Sequence, residues 1–480
     1  MAFNSLHFLV FFSLTTILYF LISPKNRWTV LLVASLYFYC TFDYRFLSLV
    51  ALSISSSYYF AILSHKTADE SKKKLFLHFS VWINVSILCI FKYFNFFTES
   101  IAASFSNFGL HFSPFILDVV LPIGISFYTF QVIGYAFDVH YGVCAPEKNF
   151  GKYSLYVLFF PKLVSGPIEQ SKNLLVQINK EHQFDYDRIT SGLKLMGWGF
   201  FKKLCVADRL SYFADEVFQN PGENSSFKVI IGSYFLIFQI YADFSGYSDI
   251  AVGASRVFGF DMVKNFNRPF ISQNLTQFWK RWHMSLYNWF FEYIYNPLTF
   301  YLREWGKIGI IIAIFVTFTL SGLWHGAAFL FILYGVLQGI GVTIEYLSTP
   351  LRLKLKASFP PIVYKYIGIF ITFHFVIFSE IFFHVKNLQE VSQILTSFAD
   401  FKKEDIGVHV FAGKSTELIL SFIAIGIIIF SEYIQSKTNN YLSFHLKLPK
   451  LLRWTVYSLF ILIIVLFGVF NSTSFVYAQF

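Results

Sequence analysis

The chain has 480 residues, of which 55% are hydrophobic, 21% aromatic and only 14% charged, and its formal net charge is +10. An average soluble domain carries about 25% charged residues, and no soluble core absorbs so much apolar surface along a whole chain. The composition therefore excludes a soluble globular protein and describes a polytopic membrane protein. Its basic excess sits in short clusters between apolar stretches. That pattern argues against nucleic acid as a partner and for membrane lipid.

In chain order, candidate spans lie near 6–22, 28–41, 45–63, 75–97, 115–138, 228–257, 309–345, 362–384, 416–432 and 452–471. The first has no Lys or Arg before Lys25 and no small-residue cleavage site, so it reads as a retained helix and not as a leader. Residues 150–205 and 265–305 are apolar but studded with Pro, Gly and charge. Such segments are too polar to face lipid, and are expected to be re-entrant or interfacial, covered by other helices. Lys25, Arg27, Lys66 and Lys72 to Lys74 mark one side of the membrane, whereas loop 98–114 carries no Lys or Arg. Arg352, Lys354 and Lys356 belong with the first group, as do Lys447, Lys450 and Arg453. The excess of basic loops places that side in the cytoplasm, and both termini outside. The four cysteines, Cys40, Cys89, Cys144 and Cys205, have neither metal-ligand nor redox spacing and read as small buried hydrophobes.

Four stretches hold polar residues where apolar ones are expected. Residues 194–209 carry Lys194, Lys202, Lys203 and Arg209 among Leu, Met, Trp and Phe. The preferred reading is an interfacial helix snorkelling its lysines, and the sharper one is a dock for an anionic cytosolic donor. In 239–249, QIYADFSGYSD, Asp243 and Asp249 lie in or at the end of an apolar span. Asp243 either pairs with Arg256 or Arg281 as a staple, which is preferred, or orients a histidine or a cation. In 278–286, FWKRWHMSL, helical spacing puts Trp279, Trp282, His283 and Leu286 on one face. Lys280 and Arg281 leave that face, toward a phosphate, a carboxylate or the headgroup layer. In 321–326, SGLWHG, small residues flank His325 and leave room both for close helix packing and for a substrate. An ionisable group at membrane depth costs about 2.5–3.5 kcal/mol on insertion scales, and so marks function or a buried pair. There is no nucleophile elbow, Walker loop, dinucleotide fingerprint, zinc-peptidase motif or calcium loop, and no metal is expected.

LPIGISFYTFQ at 121–131, FFPKLVSGPIEQ at 159–170, YADFSGYSDIAVGASRVFGF at 241–260, NFNRPFISQNLTQFWKRWHMSL at 265–286 and SGLWHG at 321–326 occur in this order. Together they resemble the membrane-bound O-acyltransferase (MBOAT) family, and within it the alginate O-acetyltransferase-like branch. Two departures stand out. His384 follows Phe382 and Phe383 where the family often has Arg, and the tail ends Tyr477-Ala478-Gln479-Phe480. The resemblance implies an all-α polytopic membrane protein with the MBOAT fold. Its about 10–12 transmembrane helices and re-entrant segments would surround a central funnel. One domain would cover 1–480, with a motif core over 115–345 and accessory spans 1–114 and 346–480.

The resemblance also assigns roles. His325, in the Trp-His-Gly motif, is the expected catalytic residue and His283 the second functional histidine. Acyl transfer to an alcohol needs removal of a hydroxyl proton, and an imidazole suits that task at neutral pH. His325 is expected as general base. His283, with nearby Asn274 or the N–H groups of Trp279, Trp282 or Trp324, is expected to position the acceptor or polarise the thioester carbonyl. Lys280 and Arg281 would meet the anionic part of the donor. No cofactor is expected to be bound; acetyl-CoA or another cytoplasmic acyl thioester is the donor substrate. No extracellular catalytic domain is evident, so a periplasmic SGNH-type partner would complete transfer to a polysaccharide outside the bacterial inner membrane. A D-alanyl transferase of the same family, acting on teichoic acid, is the nearest rival. An ion-coupled transporter built on Asp243, Asp249 and His325 is another, but the sequence has no inverted repeat to support it.

Overall fold

The computed structural model of the protein describes residues 1–110, 113–401, 411, 414–438 and 448–470. Tyr477 to Phe480 of the tail and the basic residue Lys447 lie outside the described residues. Every regular element among the described residues is helical. Eight runs are long and apolar enough to cross a membrane: Pro24–Lys66, Glu70–Ser106, Ser226–Phe258, Arg303–His325, Phe329–Leu347, Pro361–His384, Ser415–Lys437 and Lys450–Phe467. The fold is that of an all-α polytopic membrane protein.

The first layer contains α1 (Leu6–Leu21), α2 (Arg27–Asp43), α3 (Leu47–Lys66), α4 (Glu70–Leu88) and α5 (Phe94–Asn107). Capping starts these helices where the sequence turns. Ser5 Oγ accepts from Phe8 N at 3.1 Å, and Asp69 Oδ1 from Ser71 N at 2.9 Å. α3 and α4 meet through small and polar side chains: Asn84 Nδ2 donates to Ser56 Oγ at 3.2 Å, and Ser53 bonds to Asn84. Such bonds hold helices together where no hydrophobic force acts between them. α6 (Ile125–His140) begins ten residues later than its candidate span does, because Pro122 and the left-handed Gly124 (φ 71°) hold the approach non-helical.

Residues 150–180 enter and leave on the same face. α7 (Phe150–Leu158) descends, Phe160 N donates to Ser35 Oγ at 3.0 Å in the middle of α2, and the chain returns to α8 (Ser171–Ile178). Next, α9 (Tyr186–Phe200) runs through a π-helical turn at Phe201–Ala207 into α10 (Asp208–Phe218). This overturns the expected interfacial helix at 194–209. Two of its three lysines do not snorkel: Lys202 and Lys203 are buried against α11 (Ser226–Phe258), while Lys194 is half-buried over Tyr457. The wide π turn is what lets two consecutive lysines face one neighbour. A Cβ on Gly192 would sit 2.6 Å from Gly253 O, so only glycine lets α9 and α11 come this close.

After α11 the chain re-enters. It passes α12 (Leu275–Trp279), reaches His283, and comes back through α13 (Met284–Phe290) and α14 (Asn296–Tyr301) to the start of α15 (Gly306–His325). The continuous helical face expected at 278–286 does not exist: the helix stops at Trp279, and His283 itself adopts left-handed backbone (φ 43°, ψ 52°). The single candidate span 309–345 is likewise two helices. Gly326 and Ala328 are extended, and α15 turns back as α16 (Phe329–Leu347). His325 therefore ends a helix instead of lying inside one. The basic α17 (Thr349–Ser358), α18 (Pro361–His384), α19 (Leu388–Ala399), α20 (Ser415–Thr438) and α21 (Lys450–Phe467) complete the order.

Candidate active site

The site is assembled from the ends of elements. α15 leaves its last carbonyls without helical partners, as every helix does. Here side chains from the turn between α4 and α5 satisfy them: Tyr93 Oη donates to Leu323 O at 2.9 Å, and Lys92 Nζ to Trp324 O at 2.6 Å and His325 O at 3.4 Å. Lys92 also reaches Ser126 Oγ at 3.2 Å, and lies 5.8 Å from the centroid of the Trp324 ring. The cation thus sits where a helix C-terminus favours positive charge. Lys92 and Tyr93 are site residues that sequence reasoning missed. The available signal was a lysine inside the apolar candidate span 75–97.

His283 is positioned by a two-stranded clasp. Met284 N donates to Asn265 O at 2.9 Å, and Asn267 N to Arg281 O at 2.9 Å. Asn265 Oδ1 accepts from Ser285 Oγ at 2.6 Å and from Ser285 N at 3.2 Å, and Ser285 Oγ is also the acceptor for Ile168 N. The clasp holds a non-glycine residue in a backbone region that costs of order 1–3 kcal/mol, the kind of strain that accumulates at functional sites. The imidazole lies 4.6 Å, centroid to centroid, from Phe244 of α11, edge to face.

Trp324 packs against both histidines. Its ring centroid is 5.9 Å from His283 and 5.0 Å from His325. Phe127 and Phe130 of α6 pack on its other sides at 5.2 and 5.6 Å. Trp324 is buried, and its Nε1–H meets no hydrogen-bond acceptor among the described residues. A buried donor left open in this way calls for an explanation, and a ligand oxygen would supply one. His325 is 4% exposed, with Phe383 of α18 packed edge-on at 5.2 Å. His384, the residue that departs from the family, follows Phe383 and packs on Phe218 at 5.5 Å.

Two hollows approach this cluster. One, of about 310 Å³, follows α15 from Ile310 to Ser321 and is lined on the other side by Trp279, Lys280, His283 and Tyr287. At 1.5 Å per residue it accompanies α15 for about 16 Å. The second, of about 320 Å³, lies among Tyr39, Asp43, Ser126, Phe127 and Val164. Ser126 and Phe127 are the residues that contact Lys92 and Trp324. The first hollow is lined by α15 from Ile310 to Ser321, and the second reaches the cluster through Ser126 and Phe127 of α6. His325 lines neither hollow.

A family model for MBOAT, the membrane-bound O-acyltransferase family, matches residues 145–385. The chain belongs to this family. It is 33% identical over 435 residues to "Probable alginate O-acetylase AlgI" of Pseudomonas putida, covering 88% of this chain and 86% of the relative. It is 32% identical over 402 residues to a peptidoglycan O-acetyltransferase of Helicobacter pylori, covering 78% and 73%. It is 29% identical over 271 residues to a teichoic acid D-alanyltransferase of Bacillus subtilis, covering 55% and 69%. The protein is a multi-pass membrane acyltransferase.

The other sequence-selected residues of this MBOAT protein divide clearly. Trp279 lines the first hollow and donates from Nε1 to Gln338 Oε1 at 3.3 Å. Lys280 lines the same hollow and is exposed. Arg281 points from the clasp, with Nη1 on Asn267 O at 3.3 Å. Trp282 turns away and packs on Phe278 and Phe266 at 5.4 and 5.1 Å. Asn274 caps α12, its Oδ1 accepting from Gln277 N at 2.8 Å. Asp243 pairs neither with Arg256 nor with Arg281. Its partner is Lys203 Nζ at 2.7 Å, which Asp208 shares at 2.8 Å. The expected partners belong elsewhere: Arg256 reaches Asp261 at 3.7 Å, and Arg281 stays on the clasp. Asp249 pairs with Lys202 at 2.8 Å.

Proposed function

We propose that the protein is an O-acetyltransferase of a bacterial inner membrane, taking an acetyl group from cytoplasmic acetyl-CoA and passing it toward a polysaccharide outside. The observation that carries this reading is Trp324, packed against both imidazoles, with one hollow reaching His283 along α15 and another reaching Phe127, which packs on Trp324. The hollow along α15 suits an extended thioester arm: its walls are aromatic and aliphatic, and Lys280 at its side attracts an anion. Arg281 stands one residue further along the same clasp. The second hollow suits entry of the alcohol.

In the reaction, the acceptor oxygen attacks the thioester carbonyl carbon, a C–O bond forms and the C–S bond breaks. His325 takes the hydroxyl proton and returns it to the departing thiolate sulfur. The Trp324 Nε1–H and His283 face the carbonyl oxygen as its charge grows, and a water-poor site strengthens both contacts. Because His325 lines neither hollow, access to it requires Trp324 or Phe383 to shift. A second reading follows from the same fact: His283, which does line the hollow, is the base and His325 the orienting group. In either reading a separate periplasmic SGNH-type partner finishes transfer to the polymer, in keeping with relatives named for alginate and peptidoglycan O-acetylation.

The test is to offer purified protein acetyl-CoA or an aminoacyl carrier protein and to follow thiol release. Release from acetyl-CoA is expected. Turnover of the carrier protein alone would make the protein a D-alanyl transferase instead.

A further inference from the structure

A third hollow, of about 150 Å³, lies away from the Trp324 cluster, between α9, α11, the 262–268 segment and α20, and it is mainly polar. Lys202, Arg256, Lys264 and Arg268 line it, against two carboxylates, Asp249 and Glu432. Most of this charge is spoken for. Lys202 pairs with Asp249 at 2.8 Å, Arg256 lies 3.7 Å from Asp261, and Glu432 accepts from Tyr241 Oη. Lys264 has no ion pair or hydrogen bond among the described residues, and Arg268 bonds only to its neighbour Asn267, Nε to Oδ1 at 3.2 Å. Four cations thus share this partly enclosed hollow with two carboxylates, and Lys264, which is exposed, and Arg268 feel Asp249 and Glu432 only electrostatically, since those carboxylates bond to Lys202 and Tyr241.

The backbone points the same way. Among the described residues only Arg268 and His283 adopt positive φ without being glycine, at 51° and 43°. His283 belongs to the proposed active site. Arg268, on the same clasp, is the other position where the fold tolerates strain, and strain of this kind is an invitation to look for a ligand.

We propose that this hollow binds a phosphate ester, with Lys264 and Arg268 supplying the charge-assisted contacts. Asn265 both lines the hollow and holds Ser285 through its Oδ1, so the bound phosphate sits directly behind the clasp that carries His283. The headgroup of a membrane phospholipid and the phosphates of a soluble thioester donor share this chemistry. The three helices that wall the site make the lipid the first source to test.

The experiment measures thermal melting of the detergent-purified full chain, titrated separately with short-chain phosphatidylglycerol, inorganic phosphate and coenzyme A. The wild type is compared with a Lys264→Gln/Arg268→Gly double variant and with Arg268→Lys. Glycine at 268 relieves the positive φ, which guards against loss of the fold, and Arg268→Lys keeps the charge. A phosphate compound that raises the wild-type melting temperature should bind the double variant at least about tenfold more weakly, with affinity largely kept by Arg268→Lys. If phosphatidylglycerol behaves so, the site belongs to a lipid; if coenzyme A or phosphate does, it belongs to a soluble ligand. Equal affinities in wild type and double variant for all three would overturn the proposal. Binding is read without turnover, so failure here leaves the acyltransferase reading untouched, and failure of that reading leaves this one standing.

Discussion

Lys203 and Lys92 are two lysines drawn into the same apolar chain, and they are held in opposite ways. Lys203 is 1% exposed and clamped between Asp208 and Asp243 at 2.8 and 2.7 Å, with Lys202 and Asp249 beside it as a second pair. Lys92 is partly buried, and among the described residues its hydrogen bonds go only to carbonyl and hydroxyl oxygens: those of Trp324, His325 and Ser126. The first cluster answers its charge with carboxylates and ties α9, α10 and α11 together. The second points its positive charge at the end of α15, beside an open indole N–H and two imidazoles. Charge that finds a counter-charge is a staple, whereas Lys92 directs its charge to the carbonyls that end a helix. Sequence reasoning singles out Lys203 and passes over Lys92, and their partners in the structure tell them apart.

The contrast breaks most visibly at Lys203. Lys203→Ala leaves two carboxylates buried without their cation, a change that costs about 3–5 kcal/mol against a total stability of about 5–15 kcal/mol. The variant is expected to accumulate poorly and to melt well below the wild type in detergent. An unchanged melt with normal accumulation would show that the α9–α11 cluster is no staple.

At the other cluster the fold should survive and turnover should not. His325→Ala is expected to lower acetyl transfer by about 10²–10⁴-fold, the usual contribution of a general base, with accumulation and melting unchanged. Retained polymer acetylation in cells would remove His325 from that role. His283→Ala should cost about 10²–10³-fold. Since His283 lines the donor hollow and His325 does not, only His283→Ala should also raise the KM for acetyl-CoA. A raised KM in His325→Ala with an unaltered one in His283→Ala would reverse the arrangement.

Lys92 sharpens the comparison at an intermediate size. Lys92→Met removes a charged donor from two carbonyls, worth about 1.5–3 kcal/mol. If that loss falls on the ordered end of α15, kcat drops about ten- to a hundredfold with KM unchanged, and Lys92→Arg recovers part of it. A variant that fails to fold would place Lys92 with Lys203, as a staple.

Much of the fold was legible because the spans advertise themselves. Most of the candidate spans contain an observed helix, and the two stretches too polar for lipid, 150–205 and 265–305, both hold re-entrant chain. The errors have physical causes. A 37-residue apolar window at 309–345 cannot reveal that Gly326 and Ala328 extend the backbone and split it into a hairpin. Periodicity put Trp282 beside His283 because it assumes one continuous helix, and a left-handed residue at 283 breaks that assumption. The partners of Asp243 were out of reach for another reason: the π turn that turns Lys202 and Lys203 inward together has no sequence signature. Both histidines and Trp324 were singled out by their sequence motifs, and the structure packs the three rings together. Lys92 was not, because one lysine in a long apolar span is easily taken for an incidental charge.

The smallest effects test whether two neighbouring tryptophans of one motif belong to different regions. Trp279 lines the donor hollow and donates to Gln338 Oε1 at 3.3 Å, while Gln338 Nε2 reaches Ser379 Oγ at 2.7 Å. Trp279→Phe keeps most of the packing but leaves a buried acceptor without its donor, a loss of about 1 kcal/mol. That loss falls on the wall of the hollow, so the KM for acetyl-CoA should rise a few-fold while melting changes little. Trp282 packs instead among Phe266, Phe278 and Tyr241. Trp282→Phe leaves a void there and should lower the melting temperature while KM stays put. If both substitutions moved KM alike, the turn between Trp279 and His283 would not separate wall from core, and the motif would act as one surface after all.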